Sequence, residues 1–238
     1  MGSGSEYIKQ RFAEEGIAVT DRQAASFERY YELLVETNKV MNLTAVTEFK
    51  EVVGRHFVDS ALITKYYDFS SVNKMIDMGT GAGFPGIPLK ILYPHLSVTL
   101  LDSLRKRVDF LRNVVDNLGL KQVTAVHGRA EDFGRDPEYR EAYDLCVSRA
   151  VANLSTLSEY CLPFVQVGGF FISYKSGTVD EELEQAKPAI KMLGSKTKKV
   201  EKFFLEDAGR SMILIEKKEK LSGRYPRKAG LPSKQPLK

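Results

Sequence analysis

From residue 74 onward the chain alternates short β-rich runs with helical patterns, and this alternation limits the possible folds more than any other feature. "KMIDM" is followed by "PGIPLKILY", and "SVTLLD" by "SLRKRVDFLRNVVDNLGL", where Leu104, Val108, Leu111, Val115 and Leu118 make a helical stripe. "QVTAVH", "YDLCVSRA", the helical "NLSTLSEYCLPFV", "GGFFISYK" and the charged helix "TVDEELEQAKPAIKML" continue the rhythm. Two last runs, "TKKVEKFFLE" and "RSMILIEKK", can pair as a terminal hairpin. Strands separated by helices of this length form βαβ units, and so a mostly parallel sheet covered on both faces. A ligand then belongs at the carboxyl ends of the strands. Before residue 71 the period is helical: Phe27, Tyr30, Tyr31 and Leu34 recur at i, i+3, i+4, i+7, and "EFKEVVGRHFVDSALITKYY" reads as a further helix. The expected organisation is a helical lobe over 1–70, an α/β domain over 71–218 and a tail over 219–238.

Composition narrows the function classes. The 238 residues are 43% hydrophobic and 28% charged, the balance of a globular protein. No apolar stretch approaches the roughly 20 residues that cross a bilayer, and "MGSGSEYIKQ" lacks the apolar core of a signal peptide, so a cytoplasmic location without membrane association is expected. Cys146 and Cys161 occur without a C-x-x-C or a Cys/His cluster, which supports neither a disulfide framework nor a metal site. The net charge of +4 is unevenly distributed, because "KKEKLSGRYPRKAGLPSKQPLK" at the end carries eight Lys/Arg against one acid and three of the nine prolines. That is the composition of an extended segment that gains order on a polyanion, or of a solubilising terminus.

"DMGTGAGFPG", residues 77–86, lies between a strand-like and a helix-like run and is compatible with three nucleotide-binding readings. A P-loop fails, because Ile87 and Pro88 follow Gly86 where a Lys and a Ser/Thr are required. Gly81, Gly83 and Gly86 satisfy the dinucleotide fingerprint, while Gly79, Gly81 and Gly83 make the turn of S-adenosylmethionine enzymes. Asp102, at the end of the second strand, would hold a ribose in either case. Asp77 discriminates. A carboxylate at the strand tip repels a pyrophosphate but suits the ammonium and sulfonium of S-adenosylmethionine. "HGRAEDF" (127–133) ends the third strand, where Glu131 or Asp132 with a backbone N–H near Ala130 could read an adenine.

Taken together, "NLT" (42–44), "HFVDS" (56–60), "DMGTGAGFPGIPLKI", "LLDSLRKRVDFL", "HGRAEDF", "VSRAVA" and "YPRKAGLPSKQPL" resemble the RsmG (GidB) family of bacterial 16S rRNA methyltransferases, which make 7-methylguanosine. The resemblance runs from about residue 20 to the end. It implies a class I S-adenosylmethionine-dependent methyltransferase fold, a Rossmann-like, seven-stranded, mostly parallel α/β sheet with an antiparallel terminal hairpin, plus the helical lobe. It also implies cofactor contacts at Gly79, Phe84, Ala130, Glu131 and Arg149, and 16S rRNA or the small ribosomal subunit as partner. Two positions depart from the family: Thr37 stands where a Trp is common, and Ala61 follows "HFVDS" in place of Leu. Both look like packing differences.

The absent motifs bear on the chemistry. There is no N-P-P-Y for exocyclic amines and no Pro-Cys pair for a cytosine C5 mechanism. Guanine N7 has an in-plane lone pair and no proton to lose, so direct attack on the methyl needs positioning and electrostatics rather than a general base. Arg149 and Lys175, at the ends of the fourth and fifth strands, are the candidate catalytic residues. Asp77, Gly79, Gly81, Gly83, Phe84, Asp102, Ala130, Glu131 and Arg149 are the candidate cofactor contacts. His56, Asp59 and Ser60, at i, i+3 and i+4, tempt a hydrolase reading, but no G-x-S-x-G elbow accompanies them. They are read instead as a hydrogen-bonded patch at the active-site mouth, touching RNA. Arg227, Lys228 and Lys234 in the tail, with Arg224 and the lysines between 187 and 202, are candidate phosphate contacts, with the tail also free to fold back over the cofactor. Two alternatives stay open: an RNA-binding assembly factor with a vestigial cofactor site, and an NAD-dependent oxidoreductase.

Overall fold

The computed structural model describes residues 4–149 and 152–238. Among these, seven strands form one sheet in the order β3-β2-β1-β4-β5-β7-β6. They are β1 (Lys74–Met78), β2 (Ser97–Asp102), β3 (Val123–His127), β4 (Tyr143–Arg149), β5 (Val165–Ser176), β6 (Ser195–Leu205) and β7 (Ala208–Lys217). The first five are parallel, and β7 runs antiparallel between β5 and β6, as the final pair of apolar runs leads one to expect. The strand order reverses at β1. Asp77 there lies beside Leu100 of β2 on one side and Val147 of β4 on the other. Crossovers leave in opposite directions from this point, so the carboxyl ends of β1 and β4 open a crevice.

Alternation along each strand divides the core. Met75 faces a cluster that includes Phe12, Phe27, Tyr30, Phe57, Val108 and Leu111, while Ile76 faces Leu157, Phe164, Phe171 and Ile190. The first face is covered by α1 (Gly4–Glu14), α2 (Asp21–Asn38), α5 (Gly86–Leu92) and α6 (Arg105–Asn117). The second is covered by α8 (Leu154–Cys161) and α9 (Asp180–Met192). Thr20 and Gln23 form a capping box at the start of α2. The Gln23 amide also donates to the Ile91 and Leu92 carbonyls at the end of α5, at 3.0 and 3.1 Å, which fixes the lobe to the sheet. No helix among the described residues is long and apolar enough to cross a membrane.

The segment expected as one helix over "EFKEVVGRHFVDSALITKYY" changes pitch three times. It comprises α3 (Phe49–Val52), a π-helical turn (Val53–Val58), α4 (Asp59–Ala61) and a 3-10 turn (Leu62–Lys65). The Asp59 N–H reaches back five residues to the Gly54 carbonyl. This wider turn rotates the residues after it relative to those before it, a distortion common at functional sites. His56 and Asp59 border one cavity, but Ser60 does not join them on that face as the spacing suggests.

The tail is also folded, rather than extended until a polyanion arrives. Leu221, Tyr225 and Leu237 join the second core cluster. A proline-rich segment leaves carbonyls without helical or strand partners, and two arginines supply them. Arg140 donates to the carbonyls of Leu221, Ser222 and Tyr225 at 2.8–3.2 Å. Arg135 donates twice to that of Pro226 at 2.6 and 2.9 Å. A short helix, α10 (Leu231–Lys234), ends the strap, and the Thr156 hydroxyl of α8 donates to the Pro232 carbonyl at 3.0 Å.

Candidate active site

The glycine loop is built from its own carboxylate outward. Gly79, Gly81 and Gly83 adopt φ of 69°, 61° and 101°, which a side chain would strain. Asp77 is fully buried beneath them, and its Oδ2 accepts from the Thr80 hydroxyl at 2.7 Å and the Gly86 N–H at 2.8 Å. Its Oδ1 is buried without a hydrogen-bond partner. Burial raises the carboxyl pKa to about 7, against the pull of those two donors and of Arg149. Asp77 thus shapes the loop from below rather than lining the cleft. Gly83 likewise faces inward, where a Cβ would strike Ile87 and the Tyr30 hydroxyl. Gly81 differs: the space where its Cβ would stand is open.

Two cavities adjoin above the loop. One, about 400 Å³, is lined by Gly79, Asp102, Ala130, Glu131, Tyr160 and Gly230, with Ser233 at its rim. The other, about 390 Å³, is lined by Thr44, His56, Gly79, Gly81, Phe84 and Arg149. Asp102 borders both and holds their junction, accepting from Gly81 N–H and Leu104 N–H at 2.9 Å each. Arg107 stands 3.6 Å from the same carboxylate. A third cavity of about 710 Å³ shares His56 and Arg149 with the second and extends past Asp59, Lys175 and Arg210. Continuous space therefore runs from the end of β3, across the loop, to the ends of β4, β5 and the start of β7.

The wall between the last two cavities is an aromatic and ionic stack. Phe84 contacts the Tyr30 ring at 5.5 Å and the His56 ring at 4.7 Å, and the Arg149 guanidinium lies 5.0 Å from its centre. The Tyr30 hydroxyl donates to the Ala82 carbonyl, so the lobe holds the loop directly. Arg149 Nη1 donates to Asp59 Oδ2 at 2.9 Å, and Arg210 Nε donates to Asp59 Oδ1 at 2.8 Å. Burial and the nearby Arg149 cation push the His56 pKa down to about 4, which leaves the ring neutral at pH 7. Its Nδ1 faces the Arg55 carbonyl at 3.1 Å and so carries the proton; Nε2, 2.8 Å from the Thr44 hydroxyl, accepts. Thr44 in turn accepts from the Val46 N–H at 3.0 Å.

Of the residues expected at the mouth, Asp59 and His56 border it, whereas Ser60 does not. Ser60 is fully buried, and its hydroxyl donates to the His56 carbonyl at 2.5 Å, a local helix bond that excludes RNA contact. Lys175 borders the third cavity but is held by the Ala152 carbonyl at 2.6 Å and Glu182 at 2.7 Å. Arg227 points inward to fully buried Glu159, with four contacts from 2.7 to 3.1 Å, so its charge is committed to the fold rather than to phosphate. Lys228 and Lys234 remain exposed. Sequence reasoning missed Thr44, Arg107, Arg210 and Tyr160. Arg210 was within reach: it heads the "RSMILIEKK" run, and an antiparallel final strand begins at the same sheet edge where the parallel strands end.

This strand order, with a cleft at its switch point, defines the class I S-adenosylmethionine-dependent methyltransferase fold. An O-methyltransferase from Bacillus cereus, solved in complex with SAH, superposes with a TM-score of 0.56 at 16% identity, covering 79% of this chain and 90% of that one. A SAM dependent methyltransferase from Aquifex aeolicus gives 0.52 at 16% identity, over 69% and 92%. More specifically, the family model described as rRNA small subunit methyltransferase G matches residues 23–212. Ribosomal RNA small subunit methyltransferase G of Brevibacillus brevis is 52% identical over 235 residues, 96% of this chain and 99% of the relative. That of Exiguobacterium sibiricum is 47% identical over 94% of this chain and 95% of its own length. The chain belongs to the rRNA small subunit methyltransferase G family.

Proposed function

We propose that this chain transfers a methyl group from S-adenosylmethionine to N7 of one guanosine in 16S rRNA, by direct in-line attack without an obligate general base. The observation that carries the reading is the juxtaposition of a two-part cleft at the switch point with a large cavity, the two meeting at His56 and Arg149, against which Phe84 packs. The residues present fit the cofactor on two counts. Asp77 keeps an unpartnered carboxylate oxygen beneath the loop, where a cationic ligand above suits it, and Gly81 leaves an open cradle at positive φ. Gly79, Gly81 and Asp102 would hold the central part, with Ala130 and Glu131 at the nucleoside end and Phe84 and Arg149 at the methionine end. S-adenosylmethionine supplies, when bound, an electrophilic methyl on a sulfonium.

The protein's own groups favour a nucleophile that arrives without a proton to lose. Asp59 is engaged by two arginines, the His56 acceptor nitrogen by Thr44, and Asp77 lies under the loop. Cys146 and Cys161 are buried in the core, away from all of the cavities described above. What remains is positioning: an aromatic wall for a base to pack on and an Arg fork that complements guanine's acceptor edge and nearby phosphate. The reading is tested by incubating the protein with small subunits or 16S rRNA from a strain lacking it and mapping the modified nucleoside. One 7-methylguanosine per 16S rRNA is the expected product. A methyl on a base amine, a pyrimidine or a ribose contradicts the N7 assignment.

A further inference from the structure

Resting on that cofactor reading, we infer that the C-terminal strap, residues 227–234, is the missing wall of the nucleoside end of the cleft and holds the adenosine moiety in place. The loop and strand ends line that space through Gly79 and Asp102, and helices add Ala130 and Tyr160. A further side comes from the other end of the chain, where Gly230 and Ser233 border the same cavity. Beside the Thr156–Pro232 bond, two carboxylates tie the strap down. The Gly230 N–H donates to Glu131 Oε1 at 2.8 Å, in the short helix α7 (Ala130–Phe133) that ends the third β-turn-α unit. Arg227 closes on Glu159, a carboxylate with no solvent exposure, through its backbone N–H, Nε and Nη2.

The chemistry of these ties argues for a functional strap rather than a packed terminus. A buried carboxylate is costly unless a cation satisfies it, and Arg227 pairs with Glu159 at 2.7 Å, so the sequence commits a core position to holding the strap. Gly230 takes φ +80°, a conformation that turns its N–H toward Glu131 and leaves no Cβ over the cavity. Glu131 then has one oxygen engaged by the strap while its residue still borders the nucleoside space, so strap and ligand meet at one side chain. Arg224, Lys228 and Lys234 stay on the exposed side, leaving the inner face to the cofactor.

Titration calorimetry with S-adenosylmethionine on the full chain and on two full-length variants tests this. Ser233→Trp places bulk on an exposed residue that borders the cavity, at the cost of its hydroxyl's bonds to the Gly230 carbonyl at 3.2 Å and to Tyr160, and should weaken binding roughly tenfold or more with far less effect on the melting temperature than Arg227→Met. Arg227→Met releases the strap and should weaken binding as well; should it fail to fold, Ser233→Trp carries the test. Unaltered affinity in well-folded Ser233→Trp overturns the inference. If the unmodified chain binds no S-adenosylmethionine, the cofactor reading itself falls and takes the strap's role with it, an outcome distinct from a binding wild type with a binding variant.

Discussion

Asp59 and Arg149 meet at 2.9 Å across the junction between the cofactor cleft and the large cavity, joining the helical lobe to the end of β4. Arg210 completes the bridge from β7 to the other oxygen of the same carboxylate. One side chain of the lobe therefore sets the position of two cations that face the substrate space.

Removing that side chain leaves two partly buried arginines without their counter-charge. Asp59→Ala should lower kcat by roughly 10²-fold through misplacement of Arg149. Affinity for S-adenosylmethionine should fall by less than kcat does, because Asp59 does not itself border the two cofactor cavities although Arg149 lines one of them. Steady-state kinetics beside calorimetry separates the effects, and an unchanged kcat contradicts the positioning role.

Asp77 should make both stability and cofactor affinity depend on pH. Its folded pKa of about 7 lies well above the usual carboxylate value of 3.8, so the folded state holds the proton more tightly than the unfolded one. Stability from this group is fully present below about pH 4 and is lost as pH rises through 7, by up to about 4 kcal/mol. A cationic ligand favours the ionised form, so S-adenosylmethionine should bind more tightly as pH rises from 6 to 8. Asp77→Asn should raise the ligand-free melting temperature at pH 8 and flatten the affinity profile. Calorimetry across that range checks the sign.

His56 works in the opposite direction. Its folded pKa, near 4, is below the unfolded 6.5, so the unfolded state takes up a proton first and stability falls as pH drops from 6.5 toward 4. His56→Asn should lessen that acid-side loss in thermal melts. A melt whose acid limb is unaltered contradicts the neutral, buried ring.

Lys217 and Glu141 pair at 2.8 Å with Lys217 fully buried, far from the cleft. Lys217→Ala should destabilise the fold, by less than the roughly 3–5 kcal/mol of a fully buried pair, because Glu141 is partly exposed and keeps the Leu221 N–H. The folded fraction should bind S-adenosylmethionine normally. Denaturant titration and calorimetry on the same sample test both halves.

How far the sequence carries toward this picture depends on whether a feature is periodic or is settled by tertiary partners. The sheet, its switch point and the closing hairpin follow from alternation alone, and Asp102 at the tip of "SVTLLD" lies where that alternation puts it. Asp77 was legible as the residue that disfavours phosphate, but not as a buried support under its loop, because the hydroxyl and N–H that draw it inward come from Thr80 and Gly86 of the turn itself. Ser60 parts from His56 and Asp59, which border one cavity, across a π-helical turn that no residue pattern announces. The tail's charge suggested an RNA arm, whereas Arg227 answers to Glu159 on α8, a contact 68 residues away in sequence.

The central claim is most directly tested by nucleoside mass spectrometry of 16S rRNA from a strain deleted for this chain, with and without its return on a plasmid. Loss of one 7-methylguanosine on deletion, restored by the wild-type chain and not by Asp59→Ala, is the predicted result. An unchanged 7-methylguanosine content in the deletion strain would contradict the account.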